Sequence, residues 1–235
     1  MHAYDRLLGR RCLGLSVLLA LVALGIAAAT DEPGSTLGTR LARLAALLPA
    51  IAVVAQQIVL AQSRARGELA ALSALGCSPL GQVRGVVLAG VLVGLGALVA
   101  VALPGSDVRA LFPVVPGGRS FGLVEGALWD PRSGALYSPD GAISFGEVRE
   151  PEGAAAPSRS AALGFVAPLA CVAPFWGAAP MGLASRLAGA CAAFALAVLL
   201  LHAVAARRLP AACLVLGALP LALQAVRAFR ARRPA

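Results

Sequence analysis

The residues whose types and spacing suggest chemistry lie together in one polar stretch, residues 64–79. Glu68 is a lone carboxylate there, and the positive end of a helix dipole favours a carboxylate in the first turn. After it, Leu69, Leu72 and Leu75 recur at near-helical spacing, which gives the segment one apolar face. The pattern predicts a short amphipathic helix that begins near Glu68.

The same stretch also predicts how this helix ends and how the next one begins. Gly76 is placed to end the helix in a left-handed cap. Ser78 and Pro79 fit the N-cap and the first helical position of the following element. We therefore predict a short helix at about residues 64–78 that is joined stiffly to the next apolar span, so that a push on the helix moves the span.

A second interpretation of this segment stays open on the residues alone. Arg64 and Arg66 precede the helix. Basic residues beside an amphipathic helix also favour a position among lipid headgroups, in the plane of a membrane surface. A mechanical joint and an interfacial helix are equally good explanations of the pattern.

The rest of the chain has few residues suited to catalysis. All 20 basic residues are Arg, and a chain without Lys cannot carry a standard P-loop or form a Schiff base. The five cysteines include no CxxC pair, so we interpret them as small apolar residues. His2 and His202 have no partner at ligand spacing. We therefore predict no enzyme, no cofactor and no metal.

The elements that must position the short helix are long apolar runs. The chain has 235 residues, 59% of them hydrophobic, and its mean hydropathy is +0.84. Uncharged runs of about 18 residues or more are typical of bilayer-spanning helices. We predict an all-α membrane protein with six spans, at about residues 12–29, 44–61, 85–103, 161–180, 187–206 and 209–226. The first span also resembles a signal peptide, with small residues at Ala27–Ala29 where cleavage would occur.

One segment differs from the rest, residues 105–160. It holds seven of the 11 acidic residues, and turn formers alternate in it with short apolar pieces. That rhythm is typical of a few hairpin strands. We therefore divide the chain into three parts: spans one to three with the short helix (residues 1–104), a small β-rich insert (105–160), and spans four to six with a basic tail (161–235).

The distribution of Arg predicts the orientation. With the amino terminus inside, most of the Arg in short loops lies on the cytoplasmic side, together with both termini, and the insert lies outside. The net charge of +9 therefore sets the topology, and we predict no nucleic-acid partner. The middle of each span lacks Asp, Glu and Arg, which argues against an ion-coupled carrier and suits a lipid cargo.

The stretch RGELAALSALGCSPL, residues 66–80, resembles the coupling-helix signature of the LptF/LptG (YjgP/YjgQ) permeases, which extract lipopolysaccharide from the bacterial inner membrane. Leu48-Pro49, Leu209-Pro210 and the six-span layout are also similar to that family. The resemblance covers residues 40–104 in detail and the rest in layout. Members of the family carry a full β-jellyroll where this chain has the shorter insert.

This resemblance implies partners and a mechanism. The chain would be one permease of a pair, bound to a cytoplasmic dimer of ABC ATPases, with lipid as cargo and a periplasmic acceptor protein. The spans at 12–29 and 187–206 would line the gate through which lipid enters. The docking residues implied are Arg66, Glu68, Leu69, Leu72, Leu75, Gly76, Ser78 and Pro79.

The expected function is therefore a permease subunit of an ATP-driven, lipopolysaccharide-type lipid exporter in the bacterial inner membrane. The alternatives are a membrane scaffold or degenerate paralogue that does not transport, which the shortened insert favours, and an exporter half for another glycolipid. A partner ATPase distinguishes transport from the scaffold.

Overall fold

A computed structural model describes residues 2–30, 36–112, 122–124, 127–130, 135–145, 158–206 and 208–230. Within these ranges the chain folds into two compact units, one formed by residues 1–112 and 157–235 and one by residues 113–156. The first unit is helical and the second contains a small sheet.

The helical unit contains seven α-helices among its described residues. Their bounds are α1 His2–Thr30, α2 Leu37–Ala65, α3 Glu68–Ala74, α4 Pro79–Ala102, α5 Arg159–Ala178, α6 Leu183–Ala205 and α7 Leu219–Arg230. Two 3-10 helices accompany them, Val108–Leu111 and Ala211–Ala218, and the second continues directly into α7.

Six of these helical stretches are long and apolar enough to cross a membrane: α1, α2, α4, α5, α6 and the combined stretch Ala211–Arg230. The coarse prediction is therefore confirmed, and the chain is a multi-pass, predominantly α-helical membrane protein. The helices extend beyond the predicted spans at most ends. The clearest case is α1, which takes in the basic lead before residue 12.

Helix α4 lies at the centre of the bundle and packs against α1, α2 and α5. Small residues allow the close contact with α5. A Cβ added at Gly94 would lie 2.9 Å from the carbonyl oxygen of Ala170, and one added at Gly90 would lie 2.9 Å from Cβ of Pro174. Helices in lipid commonly approach through such small residues. The Gly90/Gly94 pair is therefore the α4 side of the α4–α5 interface.

Two glutamines of α2 join these central helices through polar contacts. Gln56 is fully buried, and its Nε2 donates to the carbonyl oxygen of Val86 in α4 at 3.1 Å. The side chain of Gln57 donates to the carbonyl oxygen of Gly177 near the end of α5. In an apolar surrounding, such hydrogen bonds offset part of the cost of burying an amide. Gln56 Oε1 itself has no hydrogen-bond partner among the described residues. Gln56 and Gln57 thus connect α2 to both α4 and α5.

Proline does not break the fourth span. Pro168 and Pro174 both lie inside α5, which is assigned as one continuous helix from Arg159 to Ala178. Neighbouring helices accommodate the missing amide donors in membrane helices. Instead, the interrupted span is the last one, where 3-10 geometry over Ala211–Ala218 changes to α-helix at Leu219.

The second unit has four short strands in its described residues: β1 Gly122–Val124, β2 Ala127–Asp130, β3 Ala135–Tyr137 and β4 Ile143–Phe145. They pair in sequence order as an antiparallel meander. Gly122 lies opposite Trp129, Leu128 opposite Tyr137, and Tyr137 opposite Ile143. These strands have three or four residues each, and the prediction of a β-rich periplasmic domain over 105–160 stays a prediction. Part of the predicted insert and the end of the basic tail lie outside the described residues.

Candidate docking site at the short helix

Helix α3 follows α2 after a two-residue turn and begins at Glu68, as the sequence predicts. The turn depends on Gly67, whose φ of 72° is in the left-handed region. Glycine adopts this conformation without the steric cost that a Cβ adds. The amide of Ala71 then donates to the carbonyl oxygen of Gly67 at 3.0 Å, which closes the first turn of α3.

The end of α3 is a Schellman cap around Gly76, whose φ is 75°. The amide of Gly76 donates to the carbonyl oxygen of Ser73 at 3.0 Å, and the amide of Cys77 donates to that of Leu72 at 3.1 Å. These are the two hydrogen bonds that define the motif. The predicted helix stop at Gly76 is confirmed.

Helix α4 starts three residues later with Ser78 as its N-cap and Pro79 as its first residue. Ser78 Oγ accepts from the amide of Gly81 at 3.2 Å. Gln82 of α4 bridges back to α3, because its Nε2 donates to Ser73 Oγ at 3.0 Å and to the Cys77 carbonyl oxygen at 2.9 Å. The connection between α3 and α4 is therefore short and cross-linked by hydrogen bonds.

Glu68 has contacts within the chain that the sequence did not indicate. The hydroxyl of Tyr4 in α1 donates to Glu68 Oε2 at 3.0 Å, and Arg66 Nη1 lies 3.8 Å from Glu68 Oε1. The nearby hydroxyls of Ser63 and Tyr4 lower the pKa of the Glu68 carboxyl because they favour its charged form. Ser63 Oγ has no hydrogen-bond partner among the described residues, so the hydrogen bond from Tyr4 is the one that holds the carboxylate. Glu68 thus ties α3 to α1.

The three leucines of α3 do not form one exposed face. Leu69 packs against the buried cluster that α1, α2 and α4 form around Leu8 and Leu60. Leu72 is half-buried, and Leu75 is 78% exposed. Leu75, the C-cap of α3, is therefore the large apolar side chain at this helix that a partner can reach.

A cleft of about 550 Å³ lies beside α3. One side is lined by Leu69, Ala70 and Ser73 of α3, and the other by the turn between α5 and α6, Pro180–Gly182. Arg64 contributes a cationic group to the same cleft. The end of the bundle that holds Tyr4, α3 and this turn is called the amino-terminal end below.

The α5–α6 turn is held by Arg186, a residue that the sequence analysis did not single out. Its side chain is 8% exposed, and its guanidinium donates to carbonyl oxygens of Trp176 at 3.3 Å, Gly177 at 3.2 Å and Met181 at 3.4 Å, as well as to that of Ala179. It also lies 5.9 Å from the ring centroid of Trp176. The last carbonyls of a helix attract cations. Arg186 of α6 therefore caps α5.

A second set of contacts joins this turn to α7. Trp176 Nε1 donates to Gln224 Oε1 at 2.9 Å, and Gln224 Nε2 donates to the Ser185 carbonyl oxygen at 3.1 Å. A Cβ added at Gly189 would collide with the Gln224 amide. Helices α5, α6 and α7 thus meet in one polar corner at the amino-terminal end. The sequence feature that could have indicated this corner is Arg186, which lies at the start of an otherwise uncharged apolar run.

The contacts described above connect α3 to α1 and α4, and they connect α5 to α6 and α7. No family model, no curated protein and no solved structure matches the chain. Among the described residues, no group of three or more His, Cys, Asp or Glu side chains could hold a metal ion. The five cysteines are free thiols at separate places, from buried Cys12 to exposed Cys171 and Cys191.

Proposed function

We propose that this protein is a permease subunit of an ATP-driven exporter of lipids, of the lipopolysaccharide type. The observation that carries the proposal is the joint formed by α3, Gly76 and Ser78 at the start of α4. A partner that moves α3 also moves α4, because Gln82 and the caps link the two helices over a four-residue connection.

The position of α4 supports the transmission of such a movement. It contacts α1, α2 and α5, so a displacement at its start reaches the helices around it. Glu68 provides a second route, because its hydrogen bond to Tyr4 joins α3 directly to α1. Under this proposal Leu75 and the cleft beside α3 receive the ATPase, while Glu68, Leu69 and Leu72 keep α3 attached to the bundle.

The outer helices support a lipid as cargo. In the apolar stretches of α1 and α6, buried residues make up 11% and 17% respectively. These two helices correspond to the predicted gate spans. Their central parts, residues 12–30 and 187–205, contain no Asp, Glu, Lys or Arg. An open apolar surface without carboxylates or guanidinium groups suits acyl chains and does not suit a coupling ion.

The remaining parts of the proposal concern location and partners. Most of the described Arg residues of the helical unit lie at the amino-terminal end: Arg6, Arg10, Arg11, Arg64, Arg66, Arg84, Arg186, Arg227 and Arg230. By the positive-inside rule this end faces the cytoplasm of a bacterial inner membrane, and the unit with the sheet is periplasmic. The partners would be an ABC ATPase dimer, a second permease and a periplasmic lipid acceptor.

The test is co-purification of an ABC ATPase with the tagged protein from native membranes, identified by mass spectrometry. Leu75→Arg is the informative variant, because Leu75 is exposed on α3 and the change leaves the Glu68–Tyr4 contact intact. Leu183→Arg is the matched control: it is 74% exposed at the same end of the bundle and adds the same charge.

We expect the wild-type protein and Leu183→Arg to retain the ATPase. The amount of ATPase that co-purifies with Leu75→Arg should be at least about tenfold lower, because a charge placed in an apolar contact of an interface is left without a partner. Absence of an ATPase from the wild-type sample, under conditions that preserve other exporters, contradicts the permease function and leaves the membrane scaffold. Equal retention by both variants contradicts docking through α3.

A further inference from the structure

A groove between α1 and α4 at the amino-terminal end is separate from the α3 cleft. Its volume is about 350 Å³, within the range of small-ligand pockets. The two helices touch by their backbones beside it. A Cβ added at Gly85 would lie 2.0 Å from the carbonyl oxygen of Asp5, and one added at Gly9 would lie 3.0 Å from that of Gly85. The two glycines thus allow a contact that brings the side chains around the groove together.

Three arginines line this groove: Arg6 and Arg10 from α1 and Arg84 from α4. All three are exposed, and none has a hydrogen-bond or ion-pair partner in the described part of the chain. Asp5, which is half-buried, is the acidic residue in the lining. The positive charge of the groove is therefore larger than its own carboxylate can balance.

The other part of the groove is apolar. Leu13, Leu88 and Leu92 line it, and Leu88 and Leu92 are 60% and 49% exposed. These leucines lie one to two helical turns further into the membrane-length helices than Arg84 and Arg10. The groove therefore has guanidinium groups near the end of the bundle and an open apolar surface toward the membrane interior. A phospholipid has a matching arrangement, with a phosphate headgroup at the membrane surface and acyl chains toward the membrane interior.

We propose that this groove binds one anionic phospholipid of the surrounding bilayer, with its phosphodiester among Arg6, Arg10 and Arg84 and an acyl chain along Leu13, Leu88 and Leu92. Guanidinium groups bind phosphate oxygens with paired, charge-assisted hydrogen bonds. Basic pockets between membrane helices are suited to anionic headgroups at the side of the membrane that the arginines face. The leucines favour a lipid over a free phosphate, which has no apolar part to bury.

The carboxylate of Asp5 restricts which headgroup fits. It repels a second anionic group and can accept a hydrogen bond from a hydroxyl. A headgroup with one phosphate and free hydroxyls, such as that of phosphatidylglycerol, satisfies both conditions. This lipid would be bound whether or not an ATPase or a cargo is present, so the inference does not depend on the proposed function.

The test is mass spectrometry of the intact, delipidated protein in detergent after addition of phosphatidylglycerol or phosphatidylcholine. The variant Arg10→Gln/Arg84→Gln removes two charges from the groove. The matched control Arg227→Gln/Arg230→Gln removes two charges at the same end but outside it. A third arm adds excess glycerol 3-phosphate to the wild-type protein with phosphatidylglycerol.

We expect the wild-type protein and the control variant to bind phosphatidylglycerol about tenfold better than phosphatidylcholine, and the groove variant to lose this preference. Glycerol 3-phosphate should not displace the lipid. A wild-type protein without headgroup preference overturns the proposal before any variant is considered. An equal loss in the control variant shows diffuse surface attraction, and displacement by glycerol 3-phosphate shows a free-phosphate site. Either of these results also overturns it.

Discussion

Helices α4 and α5 differ in burial from helices α1 and α6, although all four are long and apolar enough to cross a membrane. Buried residues make up 50% of the apolar stretch in both α4 and α5, but 11% in α1 and 17% in α6. Among α4 and α5, small residues at Gly90, Gly94 and Ala170 permit close approach. The exposed faces of α1 and α6 carry large side chains such as Leu18, Leu21, Phe194 and Leu199.

This difference shows that hydropathy separates a membrane helix from a soluble one but does not show which membrane helices form the core. Lipid tails are as apolar as leucine, so burial in the bundle depends on shape and on polar contacts. The central pair has both. The outer pair offers surface that lipid or another subunit covers.

The largest effect is expected where a polar contact connects an outer helix to the central pair. Arg186→Met removes the hydrogen bonds from α6 to the last carbonyls of α5. Hydrogen bonds from a charged group contribute about 1.5–3 kcal/mol each and are not additive, so we expect a loss of about 3 kcal/mol in the free energy of unfolding. The measurement is unfolding in mixed detergent micelles, with the exposed Arg208→Met as control. Equal stabilities of the two variants would show that Arg186 is not needed for the α5–α6 connection.

A smaller effect is expected from a change in shape within the central pair. Gly94→Leu must displace Ala170, whose carbonyl oxygen lies 2.9 Å from the added Cβ, whereas Gly96→Leu meets no atom within 4 Å. The two variants are two residues apart in α4 and gain the same helix propensity. We expect Gly94→Leu to lose about 2 kcal/mol of unfolding free energy, since overpacking costs about 1–3 kcal/mol. The same assay measures both, and a comparable loss in Gly96→Leu would contradict the packed interface at Gly94.

The contact between α3 and α1 should respond to pH. The pKa of Glu68 is lowered in the folded protein, so its contribution is present above the ordinary glutamate pKa of about 4.3 and is lost as the pH falls through the lowered value. Tyr4→Phe removes the hydrogen bond while leaving the carboxylate. We expect amide exchange in residues 68–74 to rise about fivefold in Tyr4→Phe at neutral pH. Hydrogen exchange with mass spectrometry measures this, and unchanged exchange in α3 would show that Tyr4 does not hold it.

The smallest effect is expected on the outer face of α6. Phe194 is 72% exposed, so Phe194→Ala removes little packing within the subunit. We expect the unfolding free energy to change by less than about 0.5 kcal/mol. A loss as large as that of Gly94→Leu would mean that another subunit covers this face of α6 in the purified protein. The low burial of α6 would then hold only for a single chain.

The local structure around α3 was predictable because backbone rules determine it. Glu68 at the start, Gly76 at the stop, and Ser78 and Pro79 at the restart each occupy the predicted position. The six membrane-length helices followed from apolar run length in the same way. In both cases the structure is determined by residues that are neighbours in the chain, so a single sequence is enough to predict it.

The contacts between distant residues were not predictable. Tyr4 and Glu68 are 64 positions apart, and Gln57 and Gly177 are 120 apart. Nothing local in the chain shows that Leu69 faces inward while Leu75 is exposed, because that depends on where α1 lies. The exposure of each residue proposed for docking therefore had to come from the structure, and its role in docking stays a prediction.

The contacts of Arg186 have a consequence for how the chain enters the membrane. The acceptors of its guanidinium are carbonyl oxygens of α5 and of the turn after it, and they exist as a set only when α5 has become helical. Helix α5 is also the least apolar of the six membrane-length stretches, with a hydropathy of 1.7. We therefore expect α5 and α6 to leave the insertion machinery together as a helical hairpin. A chain truncated before Leu183 should then insert α5 less efficiently than the full-length chain.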